Sequence, residues 1–224
     1  MKRAGVDGRL RVTIWLLIAL VAVVPIAAAA ASPLLRGREW LWIAGGMAGV
    51  VALSLLFVQP LLMAAAPPLT AVRDRIAWHR WGAIAIVALV ALHIGALYAY
   101  SPDDVTDILL LAAPTSFSVY GVIGMWCLIL TVALTSTRRL LRLGYKPWRI
   151  VHSVLAVALA GSSVVHAIQI EGAMEDYSKL AICLATLAAT TAAVLEINLF
   201  VPMRQRKLRN AKAERGTRPA TSAM

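Results

Sequence analysis

Six long apolar segments separated by short polar links dictate what this 224-residue chain can become. Their approximate cores are residues 12–31, 41–62, 76–98, 116–134, 148–170 and 180–200. As a helix, each is long enough to cross a hydrocarbon core of about 30 Å. In lipid the backbone must satisfy its own polar groups, and a helix does so within one segment. Hydrophobic residues make up 60% of the chain and charged ones 15%, which excludes a soluble globular domain. The fold class is therefore an all-α integral membrane protein, a six-transmembrane-helix bundle. Three parts follow: residues 1–11 as an N-terminal segment, 12–200 as the helical domain, and 201–224 as a basic tail.

The formal charge of +11 is distributed as a membrane topology demands. Nineteen of the twenty-two Lys and Arg fall in the N-terminal segment, in the links before the third and fifth spans, and in the tail. The alternate links hold only Arg36, Arg38 and Lys179, and they collect Asp103, Asp104, Asp107, Glu171, Glu175 and Asp176. The positive-inside rule then places both termini in the cytoplasm and makes this a multi-pass protein of the inner (plasma) membrane. Anionic lipid is a sufficient partner for the basic tail, read as a frayed segment, and no nucleic acid is needed.

Other features are read structurally. Basic Lys2, Arg3, Arg9 and Arg11 before an alanine-rich run resemble a cleavable signal, but an apolar run of about 20 residues exceeds a usual signal core, so a retained helix is expected. Cys127 and Cys183 lie in apolar runs and read as small buried hydrophobes. Pro60 is expected to kink or end the second span. Glu196 sits near the end of the sixth, where a structural anchor to water or a basic tail residue is favoured over proton or quinol chemistry.

The four histidines carry the chemistry. His79 and His93 lie fourteen residues apart in the third span, and His152 and His166 fourteen apart in the fifth. Fourteen helical steps return to within about 40° of the starting direction and rise roughly 21 Å, so each pair shares a face and separates toward opposite sides of the membrane. The two spans run in the same direction, which brings His79 level with His152 and His93 level with His166. Two such helices side by side are placed to clamp two stacked b-type haems, one imidazole from each helix on each iron. Histidines that only hydrogen-bond between helices are the bland alternative. Two histidines per level, with no cysteine or acid nearby, do not complete a zinc-like set.

Neighbouring residues fit the haem reading less specifically. Gly82, Gly95 and Gly161 permit close approach of a flat macrocycle, or of another helix. Arg80 and Arg149 are candidate counter-charges for haem propionates, while Arg75 and Lys146 read as surface anchors. Trp78, Trp81 and Trp148 suit one membrane interface, Tyr98 and Tyr100 the other.

The motifs W-H-R-W-G…L-H-I around His79 and His93, and G-Y-K-P-W-R-I-V-H…V-V-H around His152 and His166, resemble the ferric reductase-like transmembrane domain family. That family includes ferric reductases, NADPH oxidases and the haem-binding membrane subunit of the methionine sulfoxide reductase system. The resemblance runs from about Arg38 to Phe200 and is marked in the link 135–152. It implies His79 with His152 on one haem and His93 with His166 on the other. Complete ferric reductases and NADPH oxidases continue into a flavin and nicotinamide domain. About 24 residues follow the last span here, without a glycine-rich dinucleotide fingerprint, so flavin is expected only on a separate partner.

The expected function is transmembrane electron transfer by a haem-dependent oxidoreductase or its electron-transfer subunit. The donor is a separate cytoplasmic flavoprotein reductase, and the acceptor a ferric chelate or periplasmic redox protein at the outer face. A quinol-linked diheme cytochrome b anchoring another oxidoreductase is the alternative, and a colourless transporter or structural protein a third reading. A reporter that is active only in the cytoplasm should work when fused at either end and fail when inserted between Asp103 and Asp107. Activity at the insertion alone would reverse the topology.

Overall fold

A computed structural model describes residues 8–64 and 72–216, and the parts of the charge reading that fall on Lys2, Arg3 and Arg218 lie outside them. The described residues form eight helices: α1 (Gly8–Ala30), α2 (Trp40–Met63), α3 (Val72–Tyr100), α4 (Pro102–Leu109), α5 (Ser116–Thr137), α6 (Tyr145–Gln169), α7 (Asp176–Leu195) and α8 (Val201–Gly216). Six helical stretches are long and apolar enough to span a membrane. Each coincides with one of the six apolar segments. The protein is an all-α, six-span membrane bundle.

Between lipid-embedded helices no water is released, so contact comes from close packing, each atom pair adding about 0.1–0.2 kcal/mol. Helix α7 is built for this. Rich in Ala and Thr, it buries Ile182, Cys183, Thr186, Ala189 and Thr190, and the Thr186 hydroxyl donates to the Ile182 carbonyl at 2.8 Å. Around α7 gather Val50, Leu53 and Phe57 of α2, Val164 of α6 and the fully buried Ala29 of α1. Cys183 is a free thiol within this core, as expected of a small hydrophobe, and Cys127 is also unbridged.

The packing order positions the site. Helix α3 lies along α2, α5 along α6, and α7 joins the two hairpins by touching α2 and α6. Extensive packing between α3 and α6 is absent among the described residues, so a cleft separates the hairpins. The acidic link after α3 contains α4. This short helix contacts both α3 and α5 and roofs the cleft. Its acids are exposed as expected, while Val105 turns inward.

Two expectations are corrected. Pro60 does not end the second span: helix α2 continues through it to Met63, where the Ala64 N–H reaches the Pro60 carbonyl at 3.0 Å. The tail is not frayed where described: α7 passes through a π-helical turn, Glu196–Phe200, into α8. Pro202 has no N–H to give, and the five-residue turn absorbs that loss by letting the Val201 N–H reach back to Glu196. Asn198 in this turn donates to the Ser153 hydroxyl of α6 at 3.0 Å, and Glu196 pairs with Arg204 at 3.2 Å. Glu196 is thus the anchor to a basic tail residue that its position suggested.

After α4 the chain reverses through Leu111, whose φ of 58° lies in the left-handed region, while Asp107 accepts from the Ala112 and Ala113 N–H groups. A side chain there costs about 1 kcal/mol. Leu111→Gly should raise stability by about that amount in a thermal melt. Leu111→Ala, which keeps the Cβ, should not.

Candidate functional site

The four histidines meet across the cleft in two pairs. The ring centroids of His79 and His152 are 6.4 Å apart with planes at 68°, and those of His93 and His166 are 6.3 Å apart at 83°. Both pairs join α3 to α6, and each joins the residues that the topology puts on one level. Two imidazoles holding one metal atom through bonds of about 2 Å would have their ring centres about 6 Å apart, so the spacing suits a shared ion. Among the described residues no group of three or more His, Cys, Asp or Glu assembles. Two donors per level suit a metal that brings its other ligands in a macrocycle better than a bare ion.

At the acidic end both rings are anchored by backbone carbonyls. His93 Nδ1 donates to the Gly45 carbonyl of α2 at 2.8 Å, and His166 Nδ1 donates to the Phe117 carbonyl of α5 at 2.8 Å. A carbonyl only accepts, so Nδ1 carries the proton in both rings and Nε2 keeps its lone pair. Each ring also needs space four residues further along the same neighbouring helix. A Cβ on Gly49 would lie 3.1 Å from His93 Nδ1, and one on Gly121 would lie 2.9 Å from His166 Nδ1. A carbonyl at one position and a glycine one turn later therefore form a seat, built once on α2 and once on α5. Phe117 adds an edge-to-face contact with His166 at 5.9 Å.

The level at the basic end is built differently. His79 Nδ1 lies 3.3 Å from the Gln59 backbone carbonyl and 2.6 Å from the Gln59 side-chain amide. With its nitrogen toward α3, that amide donates to the His79 carbonyl and accepts from the Ala83 N–H, each at 3.1 Å. His152 instead stacks on Trp148, centroids 5.3 Å apart, and the Arg138 guanidinium lies over the same indole at 4.6 Å. The His152 Nδ1, the Trp148 indole nitrogen and the Arg149 Nε are buried without a partner.

The neighbours singled out from sequence divide. Arg149 lies one turn before His152 with its guanidinium over Tyr145 at 5.6 Å, whereas the Arg80 side chain is exposed beside His79. Arg75 is more than a surface anchor: its guanidinium caps α2 through the Leu62 and Ala64 carbonyls at 3.4 and 3.1 Å. Trp148 is more than an interfacial residue, being stacked on a histidine. The glycines are reassigned. Gly82 makes room for the Gln59 amide, which a Cβ would strike. Gly95 and Gly161 meet nothing within 4 Å. Steps of two residues from His93 and nine from His152 turn them about 160° and 180° away from the paired face.

Around the acidic-end pair lies a cavity of about 250 Å³. Its walls are apolar and include Ile86 and Val90 of α3, Leu128 of α5 and Leu159 of α6. Ile86 and Leu159 sit seven residues after His79 and His152, on the same stripe, and with Leu128 they form an aliphatic layer between the two histidine levels. Lys179 also lines this cavity. Sequence reasoning passed over Gly49, Gly121 and Lys179 because no spacing within one helix relates them to the histidines.

Gly121→Ala should displace the His166 ring and cost about 1–3 kcal/mol in a thermal or denaturant melt. Gly161→Ala, facing open space on a helix, should be neutral or stabilising by up to about 1 kcal/mol.

Residues 48–162 match the family described as ferric reductase like transmembrane component. That stretch runs from early α2 to late α6 and holds His79, His93 and His152, with His166 four residues beyond it. No curated protein and no solved structure matches the chain. The match spans half of the chain, and the paired histidines lie on the helices it covers: the chain belongs to the ferric reductase like transmembrane component family, a multi-span domain consistent with redox and electron-transfer work in general.

Proposed function

We propose that this protein carries electrons across the membrane by means of two haem b groups, one held by His79 and His152 and the other by His93 and His166. The observation that supports this most directly is the pair of cross-helix ring separations, 6.4 and 6.3 Å, in a cleft that backbone packing leaves open. When bound, each haem would supply a reversible one-electron iron couple.

The chain's own residues do the rest. At the acidic end, the Gly45 and Phe117 carbonyls hold the protons of His93 and His166 on Nδ1, which leaves Nε2 as the ligating atom and makes both rings better electron donors. At the basic end, ligation through His79 Nε2 requires a proton on Nδ1. The Gln59 backbone carbonyl, 3.3 Å away, is the acceptor for it. Arg149 and Arg80 are the cations available at that end for propionates. The Ile86, Leu128 and Leu159 layer excludes water between the levels.

In this reading the protein is a haem-dependent oxidoreductase or the electron-transfer subunit of one. It sits in the inner (plasma) membrane with both termini cytoplasmic. A separate flavoprotein reductase approaches the basic end, and a ferric chelate or periplasmic redox protein takes the electron at the acidic end. The quinol-linked alternative, to which Glu196 or Gln59 could contribute, gains little support, since the Glu196 carboxylate is paired with Arg204 and the Gln59 amide is engaged on α3.

The test is haem stoichiometry on purified protein, with reduced-minus-oxidised spectra. Wild type should hold two b-type haems. His79→Ala and His152→Ala should each lose the same one, and His93→Ala and His166→Ala the other. Full haem content in His152→Ala would refute the reading. Supplying a flavoprotein reductase or a quinol in turn, and following haem reduction, separates the two donor classes.

A further inference from the structure

Lys179 is a buried cation that the reading above leaves unused. It lies in the first turn of α7 and is only 8% exposed, an unusual place for an ammonium group at a membrane span. It lines the cavity that contains His93 and His166, a cavity whose walls carry no Asp or Glu. Its partners are the Ile170 carbonyl at 3.3 Å and Asp176 at 3.1 Å. Asp176 is 95% exposed, so its charge is largely screened by water and leaves the cavity side of the ammonium poorly balanced.

The acidic end offers few other cations. Arg36 and Arg38 are the remaining basic residues of those links, and the Arg38 guanidinium lies over the Trp42 ring at 4.8 Å. A ligand in this cavity that carries a carboxylate would find its counter-charge in Lys179.

Resting on the two-haem reading, we propose that Lys179 binds a propionate carboxylate of the haem held by His93 and His166. It would thereby both retain that haem and set its potential. The Ile170 carbonyl positions the ammonium at the cavity wall, and the exposed Asp176 carboxylate competes for it. A cation beside the macrocycle disfavours the ferric state, so the lysine raises the midpoint potential of that haem. Loss of one charge-assisted hydrogen bond corresponds to roughly tenfold weaker retention.

The experiment compares wild type, Lys179→Met, Lys179→Arg and Asp176→Asn as purified holoproteins. It measures haem loss to excess apomyoglobin and an optical redox titration resolving two one-electron waves. Lys179→Met should release one of its two haems about tenfold faster and shift one wave downward, the other staying in place. Lys179→Arg should stay near wild type. Asp176→Asn keeps the lysine and removes its competing carboxylate, so it should shift the same wave upward, which keeps the test decisive should Lys179→Met fail to fold. Loading with haem whose propionates are esterified should abolish the difference in haem loss between wild type and Lys179→Met. If Lys179→Met melts earlier but keeps both waves and both loss rates, the lysine only staples the α6–α7 link and the proposal falls. Wild-type protein without two haems would instead overturn the underlying reading, and this one with it.

Discussion

Everything in this molecule depends on the imidazole rings that bridge α3 and α6 where the two backbones do not pack. A half-buried polar ring inside a membrane bundle is costly unless its nitrogens are satisfied. The chain meets that requirement with a neighbour for each histidine-bearing helix. Helix α2 stands behind α3 and α5 behind α6, and at the acidic end each supplies a carbonyl at 2.8 Å. The hairpins are the structural units, and α7 fixes the distance between them.

The two levels share one design and differ in its execution. At the acidic end both rings sit in the same carbonyl-and-glycine seat, within an apolar cavity. At the basic end a glutamine side chain takes the place of the seat on α2, and an arginine–tryptophan stack replaces the one on α5. The orphaned His152, Trp148 and Arg149 nitrogens collect there as well. The two sites therefore offer different hydrogen bonding and different charge, which are the means by which a protein sets two otherwise identical cofactors apart.

Much of this was legible in the residues alone. Span number, the shared face of each histidine pair and the pairing of levels follow from helical periodicity and the alternation of charge, and all appear in the fold. The supporting shell was not legible, and the reason is geometric. Gly49 and Gly121 serve histidines more than forty positions away, so their role exists only once α2 is known to lie behind α3 and α5 behind α6. Gly95 and Gly161 looked suitable by proximity in sequence, yet their angular offset turns them away from the paired face. Lys179 read as one of three stray cations in acidic links. Its burial depends on how the α6–α7 link folds over the cavity. Helix α4 was hidden by its acids, which signal solvent contact but say nothing of Val105 between them.

The aliphatic layer of Ile86, Leu128 and Leu159 carries a further consequence. A tunnelling charge crosses a few ångströms of hydrocarbon, whereas a hydrated ion does not. A protein built around such a partition can pass current in one form while staying tight to protons and salts. Under the proposed electron transfer, the protons that balance the charge would be taken up or released separately on the two faces, and each turnover would itself contribute to the voltage across the bilayer.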